Sequence, residues 1–126
     1  MHVNDFQQWL AHIARKECPH QSIIAYYFGI YEGETNYTVY LTGTTSYDPE
    51  DADWASNNDF EPANKYFVLP YACNQTDWSE ILEIVSTDLK GFVASALFAH
   101  SFFSQAQAIA TGFDDGELVE IPIADS

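Results

Sequence analysis

The stretch I-I-A-Y-Y-F-G-I-Y-E-G-E-T-N-Y-T-V-Y-L-T-G-T, residues 23–44, decides the fold. Its two halves, 23–31 and 36–44, are rich in β-branched and aromatic residues, which suit the pleated surface of a sheet. Between them E-G-E-T is short, polar and centred on Gly33, so the two runs read as an antiparallel hairpin. Alternation separates Tyr37, Val39 and Leu41 from Thr38, Tyr40 and Thr42. One face of the hairpin is therefore expected to be apolar and the other mixed, giving a half-buried pair of strands.

Upstream, Phe6, Trp9, Leu10 and Ile13 follow the spacing of one helix face, with Asn4 as a cap, Asp5 in the first turn, and Arg15 and Lys16 in the last. Pro19 ends that helix. Downstream, K-Y-F-V-L-P (65–70) reads as a short strand, and Pro70 puts it at a sheet edge or terminates it. T-D-W-S-E then opens a helix, with Thr76 as cap and Trp78, Ile81, Leu82, Val85 and Leu89 as the apolar stripe. The pattern continues through Phe92, Val93, Ala96 and Leu97, and Gly91 is expected to kink or break it. The tail 108–123 reads as a final hairpin turning at Asp115-Gly116. Helices segregated against a mostly antiparallel sheet predict a single α+β domain, with an N-terminal helix and a long central helical region packed on the sheet.

A length of 126 residues fits one core, able to bury roughly two thirds of the surface that the unfolded chain exposes. Apolar residues make up 47% and aromatics 16%, which excludes a disordered chain in spite of a net charge of −15. That charge is unevenly spread. Residues 23–61 hold Glu32, Glu34, Asp48, Glu50, Asp51, Asp53, Asp59 and Glu61 with no base among them. Direct binding to nucleic acid is disfavoured, because it depends on Lys and Arg neutralising phosphates, and Arg15, Lys16, Lys65 and Lys90 are scattered. The charge instead favours a cationic partner, by speeding encounter with it.

The first residues lack the basic-then-apolar pattern of a secretory leader, and the longest apolar run, 91–99, is far short of the roughly 20 residues that span a bilayer. A cytoplasmic protein with no membrane contact is expected. Cys18 and Cys73 are isolated and read most simply as free thiols in a reducing compartment, with one disulfide between them as the alternative.

Y-D-P-E-D-A-D-W-A-S-N-N-D-F-E-P, residues 47–62, is where the acids concentrate and where rings interleave with them. It lies in a connection about 20 residues long, a length that is uncommon in a compact domain unless the loop has a function. Tyr47, Asp48, Glu50, Asp51, Asp53, Trp54, Asp59 and Glu61 are the candidate partner-binding residues: aromatic anchors inside an acidic rim supply both contact and electrostatic steering. Trp54 and Phe60 have a second reading, as pins that hold the loop to the core. The run 48–53 suggests calcium but lacks the D-x-D-x-D-G series and terminal glutamate of an EF-hand, so no metal or other cofactor is expected. His2, His12, His20 and His100 are scattered, and no nucleophile, base and orienting group stand out, so no enzyme is expected.

The patches Y-x-V-Y-L-T-G (37–43), D-x-D-W-A (51–55) and G-F-D-D-G-E (112–117), in a small acidic chain, resemble bacterial immunity proteins of polymorphic and contact-dependent toxin systems. These families share a role and not one fold, so the resemblance implies function only: an inhibitor that binds a cognate basic toxin domain, such as a nuclease, without chemistry. The other reading is a cytoplasmic binding or scaffold module that recognises a different basic partner.

Overall fold

The computed structural model describes residues 5–114 and 116–123. Helix α1 (Asp5–Lys16) is followed by strands β1 (Ala25–Glu32) and β2 (Asn36–Thr44), a short 3-10 turn at Ala52–Ser56, and β3 (Tyr66–Ala72). Helices α2 (Trp78–Val93) and α3 (Ala96–Ala99), a second 3-10 turn, and strands β4 (Ala108–Phe113) and β5 (Val119–Ile121) complete the chain. The fold is α+β, with a five-stranded sheet ordered β3-β2-β1-β4-β5.

The expected hairpin forms, with Gly29 opposite Tyr40 and Ile30 opposite Val39. β3 joins β2 antiparallel at one edge, which lets Pro70 sit in a strand. The tail forms the antiparallel pair β4–β5, though Asp115 of its expected turn lies outside the described residues, as does the cap Asn4. β4 also pairs with β1, and that pairing is parallel. A parallel pair needs a crossover, which the α2–α3 segment supplies in carrying the chain from the β3 edge to the far side of β1. The sheet is thus mixed, and its core lies between one face and the helices.

On that face Phe28, Ile30, Val39, Leu41 and Ile109 meet Phe6, Trp9, Leu10 and Ile13 of α1, and Ile81, Val85 and Leu89 of α2. The spacing of α1 does place all four of its apolar residues inwards. The Gln7 amide donates to the Asp88 carbonyl at 2.7 Å, tying α1 to α2. Among the described residues no helix is long and apolar enough to cross a membrane.

Three local expectations change. The α2 cap is Asp77 and not Thr76: the Asp77 carboxylate accepts from the Ser79 amide, while the Thr76 carbonyl accepts from the Tyr37 hydroxyl at 2.8 Å. Trp78 thereby becomes the first helical residue and stands 55% exposed, at the open end of the stripe. Gly91 does not break the helix, which runs to Val93; the interruption falls at Ala94, and Ser95 caps α3. The hairpin, finally, is buried on both faces and not on one, since Thr38, Thr42 and Thr44 are covered as well. What covers part of the second face is the acidic loop.

Candidate functional site

The side of the sheet away from the helices is built from size alternation. Facing away from the helices, the parallel pairs are Ala25 with Ala108, Tyr27 with Ala110, and Gly29 with Gly112. Ala25, Ala108 and Ala110 leave a shallow seat beside Tyr27, and Trp54 lies in it, 4% exposed. Tyr47 stands edge-on to Trp54 at 5.2 Å and donates its hydroxyl to Glu120 of β5 at 2.9 Å. The loop therefore strides from the end of β2 to the edge strand.

Its carboxylates do much of the local folding. Asp48 accepts from the Glu50 amide at 2.9 Å, and Asp51 caps the 3-10 turn by accepting from the Asp53 amide at 3.0 Å. Asp59 takes the Thr45 amide at 2.9 Å and hydroxyl at 3.1 Å, with the Thr44 hydroxyl at 3.3 Å. The Thr45 amide, foremost among these donors, holds the Asp59 carboxyl below its usual range. Phe60 bridges to Gly43 and meets Tyr26 edge-on at 6.2 Å. The loop thus straddles the sheet, with Trp54 on one face and Phe60 on the other.

Of the eight residues singled out from the sequence, Tyr47, Asp48, Asp51, Asp53 and Trp54 line one notch of about 230 Å³. Glu50 is exposed on the turn beside it. Asp59 and Glu61 are engaged elsewhere: Asp59 clasps the loop base, and Glu61 pairs with Lys65 at 2.7 Å while accepting from Asn58 at 3.0 Å. Asp48, Glu50, Asp51 and Asp53 are exposed, and none is in an ion pair among the described residues. Trp54 is a buried ring beneath an exposed acidic rim.

The other half of this face went unnoticed in the sequence. Tyr40 lies flat across Gly29, where a side chain would put a Cβ 2.1 Å from its ring. Around it stand Tyr27 at 6.0 Å, Tyr31 at 6.1 Å and Tyr66 at 6.4 Å between ring centroids. Tyr31, Tyr40 and Tyr66 line a groove of about 350 Å³ with Lys65 and Asp114. The Tyr40 hydroxyl donates to Asp114, and that of Tyr27 to the Gly112 carbonyl at 3.0 Å. Burial pushes the Tyr27 hydroxyl up to about 12 and also raises that of Tyr40, so both remain protonated donors. Tyr66 and Val68 of edge strand β3 continue the surface at 53% and 62% exposure. The signal was present: Tyr27 and Tyr31 share a face by alternation, as do Tyr40 and Thr42 on the strand opposite.

Among the described residues no group of three or more His, Cys, Asp and Glu side chains is placed to hold a metal ion. His12 and His100 are exposed. His20 Nδ1 accepts from the Ser22 amide at 3.1 Å and lies 2.8 Å from its hydroxyl, a local turn contact. Cys18 and Cys73 are free thiols. No family model, curated protein or solved structure matches the chain.

Proposed function

We propose that this chain is an immunity-like binding protein that neutralises a basic protein domain, a toxin nuclease in the first instance, by covering its working surface. The observation that carries this reading is the set Asp48, Glu50, Asp51 and Asp53: solvent-facing carboxylates with no ion-pair partner among the described residues, on a loop that Trp54 seats against the sheet. Order matters, because a rim that is already fixed loses little freedom on binding. The carboxylates take the place of the phosphates that a nuclease would hold, and inhibition needs no chemistry from the inhibitor. Such a protein works in the cytoplasm, where its own cell must be protected.

The test is co-expression with the products of neighbouring genes that encode basic domains. The chain should rescue growth, and Glu50→Lys with Asp53→Lys, which spare the turn and cap made by Asp48 and Asp51, should abolish rescue while leaving the circular dichroism unchanged. Association should also slow sharply between 0.1 M and 1 M salt, as the Debye length falls from about 10 Å to about 3 Å. Rescue that survives charge reversal would exclude the acidic loop from the interface. Tight binding to a basic partner that is not toxic would identify a scaffold module instead.

A further inference from the structure

Beside the acidic loop, and outside the residues that carry the proposal above, the tyrosine groove has a chemistry of its own. Tyr31, Tyr40 and Tyr66 line one concave space, and Asp114 adds a carboxylate at its margin. Aromatic faces that converge beside a carboxylate attract cations through the ring quadrupole. The groove already shows this preference: Lys65 places its ammonium 5.9 Å from the Tyr40 centroid and 5.4 Å from that of Tyr66. Glu61 tethers and compensates that ammonium at 2.7 Å, so Asp114 leaves the groove with a net negative charge.

We infer that this groove is a cation-binding subsite that takes an arginine side chain of the basic partner. Arginine fits better than lysine. Its guanidinium is planar, stacks on ring faces and is weakly hydrated, while its fork of donors can meet the Asp114 carboxylate. Tyr40 is held for this purpose by its bond to Asp114 and by its bed on Gly29, so the central ring is positioned before any ligand arrives. Lys65 acts as the internal occupant that a guanidinium must push aside. The inference rests on the partner being basic, but not on the acidic loop being the place where it docks.

The experiment titrates the whole chain with N-acetyl tetra-arginine amide and, separately, with the matching tetra-lysine peptide, followed by the ring resonances of the tyrosines. The arginine peptide should bind more tightly and shift Tyr31, Tyr40 and Tyr66. Tyr31→Ala with Tyr66→Ala should weaken it by about tenfold and remove the preference over lysine. Lys65→Met, which removes the internal cation and keeps an apolar stem, should tighten binding, and it supplies a second readout should the double variant unfold. Equal affinity for the two peptides, unshifted tyrosine rings, or unchanged affinity in Lys65→Met would each overturn the subsite. Charge reversal at Glu50 and Asp53 separates the two readings, since it should weaken both peptides alike and leave the arginine preference intact.

Discussion

Two faces of one sheet are filled here by opposite means. Against the helices, Phe28, Ile30, Val39, Leu41 and Ile109 are large, apolar and directly interlocked with other large apolar side chains. Away from them, Ala25, Gly29, Ala108 and Ala110 are small and rings are laid over them, while Gly112 lies against the Glu117–Leu118 backbone. The rings on the helix face are mostly phenylalanines, whereas Tyr27, Tyr40 and Tyr47 on the other face each send a hydroxyl to a named acceptor. Close packing is reached on both sides, but only the second keeps polar groups in reach of a partner. A face of interlocked hydrocarbon holds the fold together; a face of rings on small seats can also present chemistry.

The contrast is broken most forcefully by deleting one large ring from each side. Phe103 is fully buried and touches the rings of Tyr26, Phe28, Phe92, Phe98 and Phe102. Phe103→Ala should cost about 4 kcal/mol, through lost burial and the cavity left behind. Trp54→Ala should cost about 3 kcal/mol, because its ring is as covered as a core side chain although it belongs to a loop. Urea unfolding measures both. A loss below about 1 kcal/mol for Trp54→Ala would mean that the seat is incidental and that Trp54 is free to act as an interface anchor.

A smaller and sharper comparison uses two glycines. Gly29→Ala forces a methyl into the Tyr40 ring, whose bond to Asp114 fixes it from the other end, and should destabilise by about 2 kcal/mol. Gly91→Ala meets nothing within 4 Å on the exposed side of α2 and should stabilise by about 0.5–1 kcal/mol. Opposite signs in thermal melts are expected. If Gly29→Ala were neutral, Tyr40 would be mobile and the groove would not be preorganised.

The helix face was legible in the sequence because its signals are local. The stripe Phe6, Trp9, Leu10 and Ile13 and the hairpin 23–44 are read from spacing within one element, and the structure keeps both. The parallel pairing of β1 with β4 was not legible, since nothing in A-I-A-T-G distinguishes a central strand from the outer arm of a hairpin until its neighbour is known. Trp78 fell into the apolar stripe on spacing alone, but it stands at the open end of that face, 55% exposed with its ring edge-on to Phe113 at 6.0 Å. For the candidate site, the acids of the loop were visible, and so were both readings of Trp54. The alanines and glycines that seat the rings mean little until Ala25 is seen beside Ala108 and Gly29 under Tyr40.

The smallest loss expected at neutral pH is also the one that reports how dry the tyrosine face is. Tyr27→Phe removes the hydroxyl bound to the Gly112 carbonyl and should cost about 1 kcal/mol, the usual worth of one buried hydrogen bond. Burial, and next the charge of Asp114, push that hydroxyl from 10.0 up to about 12 in the folded protein. A raised value means that the folded state holds its proton longer than the unfolded chain does. The stability this provides is complete below pH 10 and is lost as pH rises from about 10 to 12. Tyr26 and Tyr40 are raised in the same direction by burial, so wild type should lose stability steeply across that window. Tyr27→Phe starts lower but sheds one of these linked protons, and its curve should converge on that of wild type as the pH climbs. Urea midpoints measured at neutral pH and through the alkaline window decide the matter. Two parallel curves would show that Tyr27 ionises in the folded protein as freely as in the unfolded chain, and that water reaches the small-residue side of the sheet.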